Sequence, residues 1–301
     1  MASQPFCAAV DWGTSRIRLW LLSRDGAALA ESRGDEGMLH CQQFGFAAAL
    51  DTHLSAVGAD AQLPTIVCGM AGARRGWREA PYLDAPAPLA AIVGATVRID
   101  GAARDIRILP GVAQRQVAAP NVMRGEETQL LGAIGATESA IVCMPGTHCK
   151  WVVVEDGAIV QFSTAMTGEL FDVLRRHSIL GQSLGDASFA PSHPAFRRAV
   201  MRGLENPSAA LTTLFEVRAA QLLGFESEAD GAPHLSGLLI GAEVGAARAM
   251  RPGAPVRLVA SGSLAALYRA ALELGGAKVS EIDADQAARR GLFAAAQRIW
   301  G

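Results

Sequence analysis

The residues best suited to chemistry lie in two short turns. Near the start of the chain, Asp11-Trp12-Gly13-Thr14-Ser15 puts a carboxylate two residues before a glycine and two hydroxyls. Glycine has no Cβ, so a ligand can approach the backbone closely. A turn of successive N–H groups makes a nest for an anion such as phosphate. A carboxylate at the end of the preceding strand is suited to hold a water bound to Mg2+. An ordinary hairpin capped by an aspartate would read the same way. The second turn, Pro145-Gly146-Thr147-His148-Cys149-Lys150, repeats the Gly-Thr pair midway along the chain. Two such turns could clamp a phosphate chain from both sides. Lys150 offers a charge there, although a lysine at a strand edge is commonly solvated. Neighbours on a strand point to opposite faces, so His148 and Cys149 make a poor base–nucleophile pair.

Three further segments carry chemistry or packing with equal ease. Residues 256–260 read as a strand running into Ser261-Gly262-Ser263 and a helix. Small residues there would let a flat ring such as adenine lie on the backbone, and they would also suit plain strand–helix packing. Gly125-Glu126-Glu127 opens a helix. Acids favour a helix N-terminus through its dipole, and a carboxylate at a domain junction is also a candidate general base for a hydroxyl. The stretch from Gly69 to Tyr82 is too glycine-rich for a helix yet holds Arg74, Arg75, Arg78, Trp77 and Tyr82. It reads as a loop for small anions or sugars, or as a solvated charge run.

These turns need elements to hold them. Apolar runs predict strands over 7–11 and 17–22, with a third at 27–31 after the Asp25-Gly26 turn. A helix is expected over 46–57, strands over 65–68 and 105–109, a proline-rich loop over 82–88, and a helix over 126–136. The pattern then restarts, with strands over 140–144, 151–154 and 158–162 and an Asp156-Gly157 turn. Strand, Gly-Thr turn, strand, Asp-Gly, strand thus occurs twice, which points to a duplication. The reading is an α/β chain of two homologous domains facing a cleft, 1–132 and 133–301. A helical insertion is expected at about 170–235, and a terminal helix over 284–299 that packs back on the first domain.

The composition sets limits. At 301 residues the chain is long enough for about two domains, and half of it is hydrophobic. A net charge of −2 gives no basic excess for nucleic acid or an anionic membrane. The five scattered cysteines form no C-x-x-C pair and suit free thiols in a reducing compartment. Charged residues through the first apolar stretch spoil a signal peptide, so a cytoplasmic location is expected. The oligomeric state is left open, with a homodimer as one option.

Asp11-Trp12-Gly13-Thr14-Ser15, Pro145-Gly146-Thr147-His148 and Ala260-Ser261-Gly262-Ser263 resemble, in that order, the two phosphate motifs and the adenosine motif of the sugar kinase/Hsp70/actin superfamily. The longer strings VDWGTS, CGMAGARRGW, EAPYL, MRGEETQ, PGTHCKW, MTGELF, HSILG and SGLLIGAE resemble the 2-dehydro-3-deoxygalactonokinase family over nearly the whole chain. The resemblance implies two ribonuclease H-like (actin-like ATPase) domains, the first on the sugar-acid side and the second on the nucleotide side. It implies ATP-dependent phosphorylation of the C6 hydroxyl of 2-dehydro-3-deoxy-D-galactonate. ATP would meet Gly13, Thr14, Ser15, Gly146, Thr147, His148, Lys150, Ser261, Gly262 and Ser263, with Asp11 orienting Mg2+ through water. Glu126 stands where related kinases carry an Asp after glycine, and the second acid, Glu127, leaves the choice of base open. For the substrate, the candidates are Gly69, Met70, Gly72, Arg75, Trp77, Tyr82 and Arg124. Arg75 and Arg124 are the cations available to its carboxylate. Cys149 stands where the family suggests Ser and is left out of the site.

Overall fold

The computed structural model describes residues 4–186 and 188–301. Residues 1–3 of the expected first domain and residue 187 of the expected insertion lie outside the described residues. The chain opens with β1 (Pro5–Trp12), β2 (Ile17–Ser23), β3 (Ala28–Gly34), α1 (Met38–Phe44), α2 (Phe46–Ala56) and β4 (Thr65–Gly69). Short strands follow: β5 (Tyr82–Asp84), β6 (Ala87–Pro88), β7 (Val97–Arg98), β8 (Ile106–Ile108), β9 (Gly111–Gln114) and β10 (Asn121–Met123). After α3 (Glu126–Ala133) the strand pattern resumes with β11 (Ala140–Met144), β12 (Cys149–Glu155) and β13 (Ala158–Ala165). Four helices come next: α4 (Thr167–His177), α5 (Pro194–Glu205), α6 (Ala210–Leu222) and α7 (Glu228–Met250). The chain closes with β14 (Val256–Val259), α8 (Gly262–Leu274), β15 (Val279–Ile282) and α9 (Ala284–Trp300).

Two sheets repeat one strand order. The first runs β3-β2-β1-β4-β8-β7 and the third runs β15-β14-β11-β12-β13-β6. Read outward from its meander, each places three consecutive strands side by side and then adds two strands parallel to the first, with β7 (antiparallel to β8) and β6 (on the edge of β13) outside the repeat. Thus β4 lies parallel to β1 and β8 to β4, while β14 lies parallel to β11 and β15 to β14. Beyond its first residue β1 is buried on both faces, which suits the apolar run of a central strand covered on both sides. β3, the edge strand, alternates between exposed and half-buried residues.

The chain divides into two compact units. One comprises 1–139, 153–162 and 283–301, the other 140–152 and 163–282. Within the first unit, α9 lies against α3, and the approach is close because neither partner has a side chain at the contact. A Cβ on Gly132 would run into the Ala287 carbonyl, and one on Gly291 into the Thr128 carbonyl. The Trp12 ring, 5.3 Å from that of Phe46, belongs to this unit's core.

Several local expectations need correction. Residues 82–88 are not all loop. β5 pairs in parallel with β9, and β6 pairs with the edge of β13. Prolines at 81, 86 and 88 limit each strand to two or three residues, and Pro88 sits where an edge tolerates a missing N–H. α3 ends at Ala133, with Ile134 already extended. β12 begins at Cys149, so Lys150 belongs to a strand and not to the turn before it.

Candidate functional site

In the first unit, three chain turns meet at the end of β1. Asp11 is 8% exposed near the C-terminal end of that strand. Its Oδ2 accepts a hydrogen bond from Arg18 Nη2 at 2.7 Å, directly across the hairpin. Arg18 also pairs with Asp285 on α9, which binds Arg33 at 2.8 Å. The Gly13–Arg16 turn is closed by the Gly13 N–H donating to the Arg16 carbonyl at 2.8 Å. The carbonyls of Gly13 and Thr14 accept from Met38 and Leu39 at the start of α1. These bonds fix the turn's peptide planes, while Thr14 and Ser15 stay exposed. A cavity beside it is lined by Gly13, Arg16, Arg18 and Arg33.

The second turn of this site starts at Gly69, which has φ +84. A Cβ there would collide with the Trp12 carbonyl and lie 3.5 Å from Asp11 Oδ1. The third is Gly125, at φ +107, whose missing Cβ would lie 3.5 Å from the Gly69 Cα. Asp11, the Gly69 turn and the start of α3 therefore come together.

The two acids at the head of α3 differ in access. Glu127 is fully buried. Its oxygens accept from the Gly125 N–H at 2.9 and 2.8 Å and from Thr128 Oγ1 at 3.1 Å. Burial, reinforced by the neighbouring Glu126 charge, pushes its carboxyl up to about 7. Glu126 is half-buried, and one oxygen accepts from the Arg124 N–H at 3.0 Å.

Arg124 lies just before them. Its guanidinium sits 4.3 Å from the centre of the Tyr82 ring, and Nη2 donates to the Ala80 carbonyl at 2.9 Å. Its Nε and Nη1 are buried without a hydrogen-bond partner among the described residues. A Cβ on Gly72 would come 2.9 Å from Nη1, so the glycine leaves room for this side chain. Arg75 is exposed. Trp77 faces inward, its ring stacked on Phe46 at 6.1 Å and edge-on to Trp12 at 6.1 Å. Met70 is half-buried in the same turn.

The second unit holds the other Gly-Thr turn. Thr147 accepts from the Glu169 N–H at 2.9 Å, and a Cβ on Gly168 would strike the Gly146 carbonyl. The first turn of α4 thus lies against residues 146–147. His148 pairs with Glu169, Lys150 is 6% exposed on β12, and Cys149 is buried, its thiol pushed well up by desolvation. Ser261, Gly262 and Ser263 are exposed at the start of α8. Alongside lies a mostly apolar cavity of about 130 Å³, lined by Gly146 and by residues of α4, α7 and α8, among them Phe171, Ile240, Leu267 and Tyr268.

Beneath this cavity, Glu243 accepts from Trp151 Nε1 at 2.8 Å, from Tyr268 Oη at 2.7 Å and from Thr167 Oγ1. Cys143 and Cys149 bring their sulfurs close to it. With the carboxylate held by three protein donors and both thiols kept protonated by burial, the cluster ties β12, α7 and α8 around the cavity.

Sequence reasoning missed Arg18, the cavity walls from α4 and α7, and the Glu243 cluster. Arg18 had a signal, since Asp11 and Arg18 are equally distant from the hairpin turn. The other two had none, because their residues come from segments far apart in the chain.

Residues 11–295 match the family model described as 2-keto-3-deoxy-galactonokinase. A Rhizobium meliloti (strain 1021) protein named "Probable 2-dehydro-3-deoxygalactonokinase DgoK1" is 53% identical, covering 100% of this chain and 99% of its own. The 2-dehydro-3-deoxygalactonokinase of Escherichia coli (strain K12) is 37% identical over 97% of both chains. A crystal structure of a candidate 2-dehydro-3-deoxygalactonokinase from Sinorhizobium meliloti superposes with a TM-score of 0.94 at 54% identity, covering 98% of this chain and 99% of the other. The dehydratase component A of Acidaminococcus fermentans shares only the fold, with a TM-score of 0.51 at 13% identity, covering 98% of this chain and 99% of that one.

Proposed function

The chain belongs to the 2-keto-3-deoxy-galactonokinase family and is a carbohydrate kinase, and from that premise we propose its reaction and the residues that perform it. The γ-phosphoryl group of ATP passes to the C6 hydroxyl of 2-dehydro-3-deoxy-D-galactonate, giving the 6-phosphate and ADP in the cytoplasm. The first unit takes the sugar acid and the second the nucleotide. The observation behind the substrate class is Arg124. A buried guanidinium with two unsatisfied nitrogens is costly on its own, and a substrate carboxylate supplies the missing charge and acceptors. Tyr82 and the Gly69, Met70 and Gly72 turn line the same place, and Trp77 stiffens that turn from the core side.

Glu126 accepts the proton of the attacking hydroxyl. It is the acid with access, while Glu127 is a positioning residue that holds the Gly125 N–H. Glycine and hydroxyl turns at Gly13, Thr14 and Ser15 and at Gly146, Thr147 and His148 offer N–H and O–H donors to the phosphates. Lys150, on β12 just past the second turn, is the cation proposed to meet the nucleotide there. Ser261, Gly262 and Ser263 and the cavity beside them suit an adenosine. Asp11 is an oxygen donor next to the phosphate turn, as a hard cation requires, and it would hold Mg2+ through water. The ion would neutralise charge on the phosphates during transfer.

The test is ADP release with Mg-ATP and a panel of sugar acids that includes both 2-dehydro-3-deoxy epimers. Selective turnover of the galactonate-derived acid supports the proposal. Preference for another sugar acid keeps the kinase chemistry and discards the substrate. ATPase activity indifferent to every sugar would point to a nucleotide-driven switch instead.

A further inference from the structure

Helix α6 is apolar on both sides. Its inward face buries Thr213 and Val217. On the opposite side Leu211, Phe215 and Leu222 fall within roughly 40° of arc at about 100° per residue, and all three are well exposed, Leu211 at 79%. Leu223 and Phe225, just past the helix, are exposed at 67% and 79%. Arg218 lies roughly 20° outside that arc, and its guanidinium turns away to Ser183 Oγ at 3.0 Å and Gln182 Oε1 at 3.3 Å. Its methylene stem therefore extends the apolar stripe. Helices that are apolar all round are buried ones. Here Leu211, Phe215 and Leu222 on the outer face stay open to water, and a contiguous apolar patch on a soluble protein marks an interaction site.

We propose that this face is where two copies of the chain meet, α6 crossing its own copy at a two-fold axis. Area favours a second copy. A stable interface takes about 800 Å² from each partner, and the exposed face of α6, with Leu223 and Phe225 at its end, offers apolar surface toward that before any polar rim is counted. Charge favours it as well. Glu216 and Arg218 are the helix's two charges, opposite in sign, and Glu216 is engaged within the chain by Arg202 at 2.6 Å. A surface without an excess of either sign meets its own image without repulsion. An anionic bilayer calls for several cations along a helix's polar face, and α6 has one arginine, turned to Ser183 and Gln182. Phe215 lies between Leu211 and Leu222 along the helix, so a two-fold axis crossing the stripe there brings it to its equivalent.

Sedimentation of the full chain at micromolar concentration tests this. The wild-type protein is expected at twice the 31.4 kDa chain mass. Phe215→Glu sets two carboxylates face to face and shifts the mass to that of one chain, with the far-UV circular dichroism retained. Phe215→Lys does the same. Mixing the two variants restores the dimer, because Glu then meets Lys; a misfolded variant could not do this. A wild-type protein that sediments as a single chain overturns the proposal. So does a dimer indifferent to both variants, which puts the interface elsewhere. Single chains that float with phosphatidylcholine vesicles would assign the face to lipid.

Discussion

Replacing Glu127 with Gln should make the protein progressively more stable than wild type as the pH rises from 5 to 8. Glu127 is fully buried at the head of α3, and desolvation, with the charge of Glu126 beside it, moves its carboxyl from 4.5 up to about 7. Between those values the folded chain keeps a proton that the unfolded chain has released. Stability therefore falls as pH climbs through the window. The contribution of the neutral carboxyl is fully present below the unfolded value and lost on passing the folded one. A shift of that size corresponds to roughly 2–3 kcal/mol between pH 5 and pH 8. For a chain of this length that is a change of about 4 °C in melting temperature. Glutamine has no proton to lose, and its carbonyl still accepts the Gly125 N–H, so the variant lacks this slope. Thermal melts of both proteins at pH 5, 6, 7 and 8 measure it, since other titrating groups cancel in the difference. Parallel curves across the range would refute the burial argument. The same variant should retain most of its turnover if, as proposed, Glu126 is the reacting acid.

Glu126→Gln should lower kcat by about 10²- to 10⁴-fold while a nonhydrolysable ATP analogue still binds by calorimetry. If that variant turns over normally and Glu127→Gln does not, the base is one residue further on. Arg124→Met should raise KM for the sugar acid by on the order of 10²-fold or more, as loss of a buried charge partner implies. KM for ATP should stay within a few-fold, and the ligand-free protein should melt no lower than wild type, since two buried nitrogens without a hydrogen-bond partner among the described residues have gone. Leu267→Trp fills the cavity beside α8 and should raise KM for ATP about tenfold or more, in line with an overpacking cost of roughly 1–3 kcal/mol; an unchanged KM would remove the base from that cavity. Gly69→Ala should cost roughly 1–3 kcal/mol, read as a drop in melting temperature, because its φ of +84 and the Trp12 carbonyl leave no place for a methyl group.

Much of the architecture is visible in the chain because it is local. The apolar runs at β1, β2, β11 and β12 and the Gly-Thr turns between them are set by nearest neighbours, so the doubled meander can be read directly. Short strands leave no such trace. β5 and β6 span three and two residues amid prolines, and pairing with β9 and β13, far along the chain, is what makes them strands. Trp77 shows the same limit. An aromatic residue in an arginine-rich loop suits a sugar, but packing turned its ring onto Phe46.

The sequence by itself determined the repeated unit, its Gly-Thr turns and the kinase family, since each is a matter of residue type and spacing along the chain. Tertiary structure decided which of two adjacent acids is sealed and which is accessible. It also decided that Arg124 keeps two buried nitrogens without a hydrogen-bond partner among the described residues, and that α4, α7 and α8 wall one cavity. Those outcomes depend on desolvation, and desolvation depends on what distant segments pack overhead.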